Sequence, residues 1–152
     1  MIVSPPMRRP PRFLVGVDFS PQSRKALAFA RDLATRSGAE LTIAHVRPFS
    51  DVRAAVTLER GDLLRGRPRA LSRAIQDLYV RQLSSLAREG ERVLLLKGAS
   101  DVALAKETGR GYDLLIVGRH GSGVRSVLPG STALRTLAGA RQPILVVPPN
   151  TR

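Results

Sequence analysis

Five short apolar runs punctuate this chain, at residues 13–17, 41–46, 92–96, 114–117 and 144–147. They are almost continuous in apolar residues instead of alternating, which marks strands covered on both faces, as in a parallel sheet. The segments between them carry helical periodicity. After the first run, Ser20 is a natural N-cap, Pro21 sits at the first helical position and Gly38 follows the last turn. Leu27, Ala30, Leu33 and Ala34 give that helix one apolar face. The second connection is longer, with an irregular stretch to about residue 68 and then a helix presenting Leu71, Ala74, Ile75, Leu78 and Leu86. Ser100 is placed to cap a third helix over 102–108, and Ser131 or Thr132 a fourth that runs to about 138. Strand and helix alternate throughout. The pattern predicts a doubly wound α/β fold, a five-stranded parallel sheet with helices on both faces.

Composition narrows the function classes. At 152 residues and 43% hydrophobic content, the chain reads as one domain over 13–149, preceded by a basic, proline-rich tail over 1–12 that is expected to be disordered. Without cysteine, disulfide frameworks, thiolate nucleophiles and cysteine metal sites are excluded. No apolar run approaches the roughly 18 residues of a membrane span, and residues 1–12 lack the apolar core of a signal peptide. A cytoplasmic protein without membrane contact is expected. The formal charge of +13 raises the question of nucleic acid, but 22 arginines against 3 lysines point to a GC-rich coding sequence. The arginines are scattered and lack the interleaved aromatics on which single-strand binders stack bases. Their densest cluster, 60–69, reads as a solvated loop, so no nucleic-acid partner is expected.

The chemistry concentrates in two loops. The fourth apolar run empties into Gly118-Arg-His-Gly121 and Gly123, and Gly130-Ser131-Thr132 stands where the next helical pattern begins. Glycines let a backbone approach a ligand closely, and a helix start offers unpaired N–H donors at the positive end of a dipole. Together they form an anion cradle suited to phosphate. The first run ends in Val17-Asp-Phe-Ser20. In doubly wound sheets, ligands sit outside the carboxyl ends of the strands where strand order reverses. With the first and fourth strands adjacent, both loops line one crevice, where the Asp18 carboxylate can take ribose hydroxyls and the glycines the phosphates. Asp18 can equally serve as N-terminal support for the helix that follows.

This combination resembles the universal stress protein family, over residues 13–148. The residues that carry the likeness are Val15-Gly-Val-Asp-Phe-Ser20, Leu41-Thr-Ile-Ala-His-Val46, Asp113-Leu-Leu-Ile-Val-Gly-Arg-His-Gly121, Gly130-Ser-Thr132 and Pro143-Ile-Leu-Val-Val-Pro148. The family's ATP-binding branch carries Gly-x2-Gly-x9-Gly followed by Ser or Thr. Here Gly118, Gly121 and Gly130-Ser131 keep that order, with eight residues between Gly121 and Gly130 and Pro129 before the last glycine. The resemblance implies a Rossmann-like fold that binds ATP, with Asp18 at the ribose or adenine and Val46 at the adenine. It places Gly118, Gly121, Gly130 and Ser131 at the phosphates, through which Mg2+ or Mn2+ would enter. Val17, Phe19 and Ser20 flank Asp18 in the candidate site, and Arg119, His120, Gly123 and Thr132 complete the cradle. It also implies a homodimer through the strand within 143–148.

Other functions fit less well. Arg119-His-Gly121 matches the opening of the histidine phosphatase signature, with His120 as phosphoryl acceptor, but the motif follows the fourth strand instead of the first. The other histidine, His45, reads as a strand-end residue without chemistry. The glycine spacing is not the dinucleotide fingerprint, and no P-loop is present. No nucleophile, base and oxyanion donors come together. The chain therefore reads as a regulatory, stress-response binding module without dedicated catalytic apparatus, a description compatible with slow ATP hydrolysis. The alternative within the family is a member that binds no ATP and acts through protein partners.

Overall fold

The computed structural model describes residues 9–47, 68–119 and 139–149. The elements run β1 (Arg12–Gly16), α1 (Pro21–Ser37), β2 (Glu40–Arg47), α2 (Pro68–Leu86), β3 (Arg92–Lys97), α3 (Ser100–Thr108), β4 (Leu114–Gly118) and β5 (Ile144–Val147). All five strands pair in parallel, in the order β3-β2-β1-β4-β5. The expected doubly wound sheet is present, and its strand order reverses between β1 and β4. The fourth expected helix falls on 131–138, outside the described residues.

The three central strands, β1, β2 and β4, bury both faces. Phe13, Val15 and Val17 pack with Ile43, Ile116, Leu27 and Ala30 of α1 and Leu83 of α2. On the opposite face, Leu14, Ala44, Val46, Leu115 and Val117 pack with Leu104 of α3 and with Tyr112. Leu14, Val15, Ile43, Leu115 and Ile116 have no solvent exposure. Side chains of this kind each contribute about 1.5–3 kcal/mol on burial, which is why the strands tolerate so few polar residues.

The helix ends show where local signals decide and where they do not. Ser20 caps α1 as expected, its Oγ accepting from the Ser23 N–H, and Gly38 closes the helix in the left-handed region at φ 68°. At α3 the expectation needs correcting: the cap is Ala99, which makes no side-chain bond, and Ser100 is already helical. The turn starts early because Gly98, at φ 124°, reverses the chain directly after β3. Asp101 in the first turn faces the positive end of the helix instead.

Two ion pairs tie the layers together. Ahead of β1, Arg9 meets both carboxylate oxygens of Asp113 at 2.8 and 3.0 Å, and the Arg12 N–H donates to the same carboxylate at 2.8 Å. The guanidinium holds the Asp113 carboxyl below its ordinary range. The better shielded pair joins α1 to the turn before β3. Arg31 donates to both oxygens of Glu91 at 2.7 and 2.8 Å and to the Leu86 carbonyl at 2.6 Å. Glu91 also accepts the Arg88 N–H. The Arg31 hydrogen bond lowers the Glu91 carboxyl below the ordinary value of 4.5.

A carboxyl lowered in the folded state stabilises the protein above its unfolded value and loses that contribution as pH falls through the folded value. Glu91→Gln is therefore expected to be less stable than wild type by about 1–3 kcal/mol at neutral pH. In urea titrations at stepped pH, the difference should persist above 4.5 and shrink as the pH is lowered further. A difference independent of pH would contradict it.

Candidate nucleotide site

The carboxyl end of the sheet at the β1–β4 boundary is built from the turn that links β1 to α1. Val17 extends the β1–β2 ladder by one bond, its N–H donating to the Ala44 carbonyl at 2.8 Å. Beyond it, Asp18, Ser20 and Ser23 form a closed polar network. Asp18 Oδ1 accepts from both the N–H and the Oγ of Ser20. Ser20 Oγ accepts from the Ser23 N–H, while Ser23 Oγ donates to the Ser20 carbonyl and accepts from the Asp18 N–H. The Asp18 carboxylate thus lies at the N-terminus of α1, where the helix dipole favours its charge. The helix-support role foreseen for Asp18 is present, in the same loop that faces β4.

Phe19 makes this turn possible in an unusual way. Its φ is 63°, and it is the one non-glycine residue in the left-handed region among those described. A bulky residue held there costs about 1–3 kcal/mol unless its surroundings fix it. Two aromatic rings surround it. The Phe19 ring lies 4.7 Å from the His45 ring, and His45 lies 4.8 Å from Tyr79 on α2, nearly parallel at 27°. His45 is buried, and its Nδ1 sits 2.8 Å from the Val17 carbonyl.

Gly118 closes the crevice from the β4 side. A Cβ at this position would stand 3.2 Å from the Gln22 carbonyl oxygen and 3.3 Å from its carbon, in the first turn of α1. The close packing of α1 against β4 thus gives glycine a reason at this position that needs no phosphate, since a Cβ would make the Gln22 backbone give by a few tenths of an ångström.

The sequence of the chain from residue 11 to residue 148 matches the Universal stress protein family. The chain belongs to that family. Among curated proteins none matches it. Solved structures of the same fold include the hypothetical protein MJ0577, 19% identical, with 93% of this chain and 98% of that one covered at a TM-score of 0.73. The universal stress protein UspA from Lactobacillus plantarum is also 19% identical, covering 91% and 98% at 0.67. A universal stress protein in complex with cAMP is 26% identical, covering 90% and 96% at 0.58.

Within this family member, the residues expected at the site fall into three groups. Val17, Asp18, Phe19, Ser20 and Gly118 come together where β1 and β4 end, one step beyond the pair Gly16 and Val117. Val46 is buried on the opposite face of the sheet, in the cluster that holds Val117 and Leu104. Arg119 is exposed, and its N–H continues the β4–β5 ladder to the Val147 carbonyl at 3.0 Å. His120, Gly121, Gly123, Gly130, Ser131 and Thr132 lie outside the described residues. Sequence reasoning missed His45 and Tyr79. The available signal was a histidine two residues after Ile43 in β2, on the face that packs against the first two helices.

Proposed function

We propose that this universal stress protein is a nucleotide-binding module that takes ATP in the crevice between the β1 and β4 loops. One observation carries the reading: the carboxylate loop of Asp18 and the glycine loop opening at Gly118 meet where strand order reverses. That is where doubly wound sheets place their ligands. The relative in complex with cAMP supports a nucleotide as the ligand class. Asp18 would take the sugar or base side, Val46 the base, and the 118–132 segment the phosphates. Among the described residues no three His, Asp or Glu side chains cluster to hold a metal. Mg2+ or Mn2+ would accordingly be carried by the phosphates. Among the described residues no helix is long and apolar enough to cross a membrane, and a cytoplasmic regulatory role fits the reading.

The rival reading, a family member that acts through protein partners without ATP, draws on two facts. Asp18 and Gly118 both have structural duties that need no ligand. Calorimetry separates the readings. Asp18→Asn keeps an acceptor for Ser20 and removes the charge, so it tests the ligand contact and spares the cap. Wild type should bind ATP, and Asp18→Asn should bind it about tenfold more weakly, the loss of one charged hydrogen bond. No binding by wild type at millimolar ATP, or equal binding by the variant, contradicts the proposal.

The same reading includes a homodimer through β5. This strand is at one edge of the sheet, and among the described residues β4 is its only strand neighbour. Its ladder bonds to β4 use the carbonyls of Pro143 and Val147. In a parallel ladder alternate residues face each neighbour, so Ile144 and Val146 turn their backbone groups to the open edge. An apolar edge is a template for pairing, and a two-fold contact closes on itself. Pro143 and Pro148 would bound the paired segment. Val146→Pro removes an outward N–H and leaves the β4 bonds in place. Light scattering at tens of micromolar should give a dimer for wild type and a monomer for Val146→Pro. A monomeric wild type, or a dimeric variant, contradicts this interface.

A further inference from the structure

The turn after β1 is held from behind by a residue that contacts none of the proposed ligand groups. His45 Nδ1 lies 2.8 Å from the Val17 carbonyl. A carbonyl only accepts, so Nδ1 carries the proton and donates. Nε2 is buried and has no hydrogen-bond partner among the described residues. The ring contacts both Phe19 and Tyr79, whose own rings stand 6.4 Å apart, and so bears on the one left-handed non-glycine residue of the described chain. Val17 and Phe19 are the two neighbours of Asp18. His45 therefore grips the chain on both sides of the carboxylate.

We propose that His45 is a positioning residue for the nucleotide site: its Nδ1–H, bonded to the Val17 carbonyl, sets the left-handed turn at Phe19 and hence where Asp18 stands. The inference rests on the reading that Asp18 meets the ligand. The physical reason is one of freedom. A left-handed phenylalanine has no intrinsic preference for that conformation, and the Asp18–Ser20 bonds that span it tie it only to the helix side. The Asp18–Ser20–Ser23 network fixes the helix side of the turn, and the hydrogen bond from His45 fixes the strand side. Tyr79 closes the stack from α2, so the turn is also coupled to the second helix.

Two substitutions in the full chain separate the donor from the ring. His45→Phe keeps a ring against Phe19 and Tyr79 and removes the donor. In His45→Asn the side-chain amide nitrogen can stand where Nδ1 was, and the ring is gone. By calorimetry His45→Phe should bind ATP about tenfold more weakly, while His45→Asn stays within about threefold of wild type. Equal binding by wild type and His45→Phe, or equal weakening in both variants, overturns the proposal.

NMR of the same proteins decides the matter independently of ATP. The backbone shifts of Phe19 should leave the left-handed range in His45→Phe and keep it in His45→Asn. If wild type binds no ATP, the ligand reading fails, and these shifts still test the positioning. Retention of the left-handed shifts in His45→Phe overturns it. Should that variant not fold, the wild-type ring answers: a proton on Nδ1, coupled across the hydrogen bond to the Val17 carbonyl, is expected. A ring protonated at Nε2 alone overturns the proposal.

Discussion

The first turn of α1 lies so close to the end of β4 that a single methyl group at residue 118 would stand 3.2 Å from the Gln22 carbonyl. That approach fixes how the β1–α1 turn faces the fourth strand, and the rest of the site depends on it. With α1 seated there, Ser20 caps the helix, Asp18 is drawn toward its N-terminus and Val17 is left to continue the ladder to β2. The strand order reverses between β1 and β4, and doubly wound sheets place their ligands at such a reversal. Packing and site are consequently one arrangement, and a change to either disturbs both.

Much of this was legible in the chain. Apolar runs located all five strands to within a residue at either end, because strands of a parallel sheet covered by helices are rich in apolar side chains. The start and end of α1 were legible from Ser20, Pro21 and Gly38, each acting through its own local geometry. The adjacency of β1 and β4, which the site requires, was a condition of the sequence reading, and the observed strand order meets it.

What escaped were effects of residues distant in sequence. Nothing local marks Phe19 for a left-handed conformation; His45 and Tyr79, 26 and 60 positions away, hold it there. His45 read as inert because a histidine in a strand carries no sign of the carbonyl it will meet. Gly118 was read as room for phosphate, and the structure adds a second reason for glycine that only the folded position of α1 could reveal. Ser100 looked like a cap because serine favours that position, yet the turn at Gly98 starts the helix one residue earlier. At Phe19, His45 and Gly118 tertiary contact supplied what the local sequence does not show, whereas at Ser100 the adjacent Gly98 did.

The central claim is that the carboxyl ends of β1 and β4 together form a nucleotide site. A crystal structure of the full chain grown with ATP and Mg2+ tests it most directly. The account predicts nucleotide density in that crevice, with Asp18 in hydrogen-bond contact with the sugar or base and the phosphates against the 118–132 segment. Density elsewhere on the molecule, or a crevice closed by protein side chains at saturating ATP, would contradict it.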